Sequence, residues 1–115
     1  MAFTTINKSG DYFNTKLYTG NGSAGNAVTG VGFAPNFVWI KERSSTSSHV
    51  LGNTVTGINK RLQSDTTSAE GTLSNIFTSF DSDGFTNGAD NGVNQNGETY
   101  VSWNWDGGGA GSANT

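Results

Sequence analysis

The stretch Glu98-Thr99-Tyr100-Val101-Ser102-Trp103-Asn104-Trp105 alternates in kind, with Val101, Trp103 and Trp105 at odd positions and Glu98, Ser102 and Asn104 at even ones. Successive side chains of a strand point to opposite faces, so this predicts a strand with one apolar and one mostly polar face. The expectation that follows is that Val101, Trp103 and Trp105 are sealed between two layers of sheet, with Tyr100 exposed on the other side. Burying a large apolar side chain contributes roughly 1.5–3 kcal/mol, and a small domain needs such anchors. Asn96-Gly97 stands immediately before the run and tolerates the positive φ angles of a tight turn. The two features together predict a closing hairpin.

Short apolar or alternating runs also predict strands at Ala2–Ile6, Tyr12–Thr19, Ala27–Val31, Asn36–Glu42, His49–Leu51, Leu73–Phe80, Gly84–Thr86 and Val93–Gln95. Phe37-Val38-Trp39-Ile40 reads as buried on both faces, hence central. Asn21-Gly22, Asp83-Gly84, Asn87-Gly88 and Asn91-Gly92 read as turns, because Asn and Gly reach left-handed conformations cheaply. Phe80 and Phe85 flank Asp81-Ser82-Asp83-Gly84 as a second hairpin. Helix evidence is limited to one turn over Ile58–Leu62. Many short strands with closely spaced turns predict an all-β fold, an antiparallel β-sandwich or jelly roll. The sandwich is expected over residues 1–106. Residues 107–115 read as a Gly/Ser-rich flexible tail or linker to a following unit.

Composition narrows the classes. The hydrophobic fraction is 32%, and with the 17 glycines counted in it reaches about 47%, ordinary for a globular domain of 115 residues. Only 13% of residues are charged, the net charge is −3, and the six Lys and Arg are scattered. With no basic stripe to neutralise phosphates, nucleic acid is not an expected partner. Cysteine is absent, which excludes disulfides and thiolate metal sites. No signal-peptide pattern and no long apolar run is visible, so neither export by a leader nor membrane insertion is expected.

Candidate chemistry is sparse. His49 is the single histidine and Glu70 and Glu98 are the obvious carboxylate pair, but no nucleophile-elbow pattern accompanies them. The expectation is a protein that is not an enzyme and has no cofactor. Ser79, Asp81, Asp83, Gly84 and Asp90 follow the spacing of a calcium loop. Ser at the first position, Asp at the twelfth and the lack of flanking helices favour an ordinary hairpin turn, leaving Asp81, Asp83 and Asp90 as the alternative metal ligands. Among the aromatic residues, Trp39, Trp103 and Trp105 are assigned to the core. Tyr100, Tyr12 and Tyr18 are the candidate binding residues for a sugar-stacking surface. Few charges guard the sheet edges, which points to a homo-oligomer.

Five segments carry a resemblance: Tyr12–Gly22, Thr29–Lys41, Leu62–Glu70, Thr78–Thr86 and Thr99–Trp105. In this order they resemble a family of virion structural proteins of tailed bacteriophages, especially phages of marine bacteria and cyanobacteria. The resemblance implies a concanavalin-type jelly roll serving in a tail or head fibre, a capsid decoration or an adhesin. It implies assembly in the host cytoplasm into the virion, with other copies of the chain and other virion proteins as partners. Contact with a host cell-surface glycan is the alternative role. It carries over no catalytic residues.

Overall fold

The computed structural model describes residues 9–107. After a 3-10 turn at Ser9–Asp11, the chain runs through β1 (Phe13–Thr19), β2 (Asn26–Val28), β3 (Phe37–Glu42), β4 (Val50–Asn53), β5 (Lys60–Arg61), β6 (Gly71–Thr72), β7 (Phe77–Asp81) and β8 (Gly84–Asn87). A single helical turn, α1 (Asn91–Asn94), then leads to β9 (Thr99–Trp105). The fold is all-β, with antiparallel sheets arranged as in a generic β-sandwich.

The larger sheet has the order β1-β9-β3-β4. The β-branched and aromatic residues of β3 and β9 suit a pleated surface, and β9 lies between β1 and β3 over its whole length. Phe13 and Phe37 both pair with Trp105, and Thr15 and Trp39 both pair with Trp103. The smaller sheet, β2-β8-β7, supplies the second layer. The core joins Val38, Ile40, Val50 and Tyr100 of the first sheet to Val28, Phe77 and Phe85 of the second, with Ile76 and Val93 closing it. Tyr18 and Tyr100 stack at 5.1 Å between ring centroids, and Phe85 meets Tyr18 edge-on at 6.1 Å. Both geometries suit the ring quadrupole.

Two glycines set how closely backbone and ring approach. At Gly84 (φ +157°) an added Cβ would lie 1.8 Å from the Val28 carbonyl oxygen, and at Gly52 it would lie 2.4 Å from the Phe77 ring. Neither place has room for a side chain, because the β7–β8 hairpin presses on β2 and Phe77 presses on β4.

The Phe80/Phe85 hairpin forms as expected, with Phe80 opposite Phe85 and Asp81 opposite Gly84. Other expectations are corrected. Val93–Gln95 is not a strand: Asp90 caps a helical turn there by accepting from Gly92 N at 2.8 Å. Asn96-Gly97 does make a turn, with Gly97 at φ +83°, but the turn joins α1 to β9 and not two hairpin strands. The turn of helix expected over Ile58–Leu62 is instead the short strand β5, paired with β6. The predicted strand Ala2–Ile6 and the tail beyond Gly107 lie outside the described residues.

The largest correction concerns β9. Its buried residues are Tyr100, Ser102 and Asn104, whereas Val101, Trp103 and Trp105 are half-buried on the outer face. The β1 backbone receives part of this polar surface, while the buried Asn104 Oδ1 is left without a hydrogen-bond partner among the described residues. Asn104 Nδ2 donates to Asn14 O at 3.1 Å, and Ser102 Oγ lies 3.4 Å from Lys16 O. Beside them β3 presents Val38 and Ile40 to the same interior. Likewise β3 is not apolar-buried on both sides, since Phe37, Trp39 and Lys41 stay half-buried on the outer face.

Candidate functional site: an aromatic sheet face

The outer face of the four-stranded sheet is built by register. One row runs Phe13, Trp105, Phe37, Asn53 across β1, β9, β3 and β4. The next runs Thr15, Trp103, Trp39, Leu51, and an isolated bridge continues it from Leu51 to Leu62. A third sets Leu17 beside Val101 and Lys41. Cross-strand neighbours on one face lie about 4.5–5.5 Å apart at Cβ, which brings the rings together. Phe13 lies 4.9 Å from Trp105 at 47°, Phe37 lies 5.1 Å from Trp105 at 66°, and Trp39 lies 5.7 Å from Trp103 at 71°. Trp39, Trp103 and Trp105 line an open cavity of about 260 Å³ that is almost wholly apolar.

The rim is more exposed than the centre. Leu17 is 61% exposed, Leu62 45% and Phe13 36%. Exposed apolar side chains scattered singly are ordinary, but a contiguous aromatic face is not. Lys41 is the charged residue on these three rows, and its ammonium donates to Glu42 O at 2.6 Å and Ser45 O at 3.2 Å.

His49 borders this face. Trp39 Nε1 donates to His49 Nδ1 at 2.9 Å, and the His49 backbone N–H donates to Asp65 Oδ1 at 3.2 Å. The Asp65 carboxylate therefore meets the backbone of His49, while the ring nitrogen a triad would orient is occupied by an indole. The other enzyme candidates are apart in kind: Glu98 accepts from Ser44 Oγ at 2.5 Å, and Glu70 is exposed.

The three candidate tyrosines do not form one surface. Tyr100 is fully buried, and its phenol donates to Asn91 O at 2.7 Å and accepts from Gln95 N at 2.9 Å. Burial pushes that phenol upward in pKa, and the carboxylates of Glu42, Glu98 and Asp90 push it the same way. Tyr18 packs against the core with its hydroxyl donating to Val93 O at 2.7 Å, and burial raises its pKa strongly. Tyr12 is exposed at the entrance to β1. The indoles assigned to the core are the ones that face solvent, and the assignment of faces is reversed.

The carboxylates of the calcium spacing also go separate ways. Asp81 accepts from Ser79 Oγ and Thr86 Oγ1, both at 2.6 Å, while Asp90 caps α1. Asp83 accepts from Gly30 N at 2.9 Å and Gly32 N at 2.7 Å, tying the loop after β2 to the β7–β8 hairpin. Among the described residues no group of three or more His, Cys, Asp or Glu is placed to hold a metal ion.

Asp83 titrates below the usual carboxylate range because the amides of Gly32 and Gly30 stabilise its charge, with Lys16 adding to the effect. A depressed folded-state value means that these bonds contribute fully above the unfolded pKa of about 4. Their contribution fades as pH falls through the folded value. Asp83→Asn is expected to lower the melting temperature at neutral pH, the gap to wild type closing below about pH 4. Thermal melts across pH 2–7 read this directly; a gap independent of pH would refute it.

A family model described as a domain of unknown function, DUF7483, matches residues 8–115. The chain belongs to that family. No curated protein and no solved structure matches the chain. The match spans every described strand, so the aromatic face lies wholly within the family's domain. Among the described residues no helix is long and apolar enough to cross a membrane.

Proposed function

We propose that this chain is a non-enzymatic structural module of a tailed-bacteriophage particle, acting by assembly and outward display in a fibre, a capsid decoration or an adhesin. The observation that carries the reading is the aromatic outer face of the larger sheet. A β-sandwich normally covers one face of each sheet and gives the other a polar surface. Here the other face of the larger sheet presents three indoles and two phenyl rings. Four of these rings are already half-buried and Phe13 is 36% exposed, so docking would recover only part of the roughly 1.5–3 kcal/mol that full burial of such a side chain contributes. The five ordered segments that resemble virion proteins supply the setting, and on that reading the sandwich is a concanavalin-type jelly roll.

Stacking on a host glycan is supported less well. Sugar platforms offer flat ring faces beside convergent polar groups. These rings lie at 47–71° to one another, the cavity lining is nearly without polar surface, and the Trp39 N–H is engaged by His49. Mass spectrometry of purified virions from the encoding phage is expected to find the chain at many copies per particle. Its absence from virions ends the proposal.

A further inference from the structure

We infer that Asn96 is a site of spontaneous covalent modification, the Asn-Gly pair that the fold leaves open to deamidation while it closes the other three. The chain carries four such pairs: Asn21-Gly22, Asn87-Gly88, Asn91-Gly92 and Asn96-Gly97. The chemistry is intramolecular. The glycine nitrogen gives up its proton and attacks the asparagine Cγ, a C–N bond forms, and the side-chain nitrogen takes the proton and leaves as ammonia. Water then opens the five-membered imide at either carbonyl, giving Asp or its β-linked isomer. One water enters and one ammonia departs, with no change of oxidation state. Glycine favours closure because it has no side chain in the way. Two conditions govern each pair: the amide carbon must swing within reach of the nitrogen, and the N–H must come free of its acceptor.

The second condition does not separate the four. Gly22 N donates to Asn94 O, Gly88 N to Ile76 O and Gly92 N to Asp90 Oδ1, each at 2.8 Å, and Gly97 N donates to Gly20 O at 3.0 Å. The asparagine side does separate them. Asn21 Oδ1 accepts from Ser23 N at 2.9 Å and Asn94 Nδ2 at 3.1 Å, so its swing breaks two further bonds. Asn87 is inaccessible to solvent, and a Cβ at Gly88 would lie 2.1 Å from Asn75 O, which leaves neither room to swing nor water to open an imide. Asn91 begins α1, and its helical conformation must be undone before its side chain reaches Gly92 N. Asn96 has none of these restraints. It is exposed, its amide has no hydrogen-bond partner among the described residues, and nothing lies within 4 Å of where a Gly97 Cβ would stand. One bond to Gly20 O holds the pair, in an exposed turn that can open without global unfolding.

The position gives the change a consequence. Gly20 N donates to Glu98 O at 2.9 Å while Gly20 O accepts from Gly97 N, a clasp between the end of β1 and the start of β9. Conversion adds a negative charge two residues from Glu98 in a chain already at −3, and the β-linked product lengthens the turn by one methylene. The clasp therefore loosens as the protein ages.

Peptide mapping by mass spectrometry of the full folded chain, aged in mildly alkaline buffer beside the same chain aged in denaturant, tests this. In the folded chain Asn96 should convert at least about tenfold faster than Asn21, Asn87 or Asn91, the factor that two extra hydrogen bonds to break would supply. In denaturant the four rates should draw together. Asn96→Gln should abolish the first acidic species to appear, because glutamine must close a larger ring, and should leave the melting temperature of fresh protein unchanged. Earlier conversion at any other pair overturns the inference, as does an Asn96 that stays intact in the folded chain while the denatured chain converts. A preference for Asn96 that persists in denaturant also overturns it, by placing the cause in the neighbouring sequence and not in the fold. None of these outcomes touches the assembly reading, which stands or falls on virion composition.

Discussion

Tyr100→Ala is expected to cost about 4 kcal/mol of folding stability, in the range for removing a large buried aromatic side chain. For a domain of this size that is a fall in melting temperature of roughly 15–30 °C. Tyr100 is inaccessible to solvent and its ring stacks on Tyr18. Its hydroxyl joins α1 to β9 by donating to Asn91 O and accepting from Gln95 N. Alanine would leave a cavity against Tyr18 and strip partners from both backbone groups. Tyr100→Phe keeps the ring and loses only the hydroxyl's bonds, so a smaller cost of about 1–2 kcal/mol is expected. Thermal melts followed by circular dichroism distinguish the two. A shift below about 5 °C for the alanine variant would place Tyr100 at the surface after all.

The second large effect is expected at Asn94. This buried amide ties the loop after β1, β2 and the segment after β8 into one network. Its Oδ1 accepts from Asn21 N at 2.9 Å and Asn26 Nδ2 at 2.8 Å. Its Nδ2 lies within 2.8–3.1 Å of Ser23 O, Gly88 O and Asn21 Oδ1. Asn94→Leu keeps similar volume but satisfies none of these groups. Each buried group left without a partner costs about 1–3 kcal/mol. Asn21 and Ser23 lie on the exposed loop and can turn to water, so a total of about 3 kcal/mol is expected. Denaturant unfolding measures it as a lower midpoint at unchanged slope. A loss under about 1 kcal/mol would show that the network is dispensable.

Asn94 shows what a sequence hides. Nothing in Asn91-Gly92-Val93-Asn94 marks its last residue as a hub, because its partners lie up to 73 residues away, in loops and at the start of β2. The carboxylates of the calcium spacing are likewise parted by partners that the sequence does not mark. Alternating oxygens suit a cation only if the backbone curls them inward. A two-residue hairpin instead sends Asp81 to its neighbouring hydroxyls and Asp83 across to Gly30 and Gly32. His49 was legible as a lone imidazole, but its engagement by Trp39 came from the pairing of β3 with β4.

Local pattern determined much of the rest. Period-two alternation, Gly and Asn at the turns and the Phe80/Phe85 flanks suffice to write β1, β3, β9 and the β7–β8 hairpin, because strand direction and turn chemistry act within a few residues. The same alternation separates Val101, Trp103 and Trp105 from Tyr100, Ser102 and Asn104. It does not say which set is covered, since a strand with two faces is satisfied locally either way up. Tertiary structure decided that. The β2-β8-β7 sheet packs on the side where Val38 and Ile40 flank β9 and the β1 carbonyls receive Ser102 and Asn104. The choice depends on the summed burial of neighbouring strands, and it left the tryptophans facing outward.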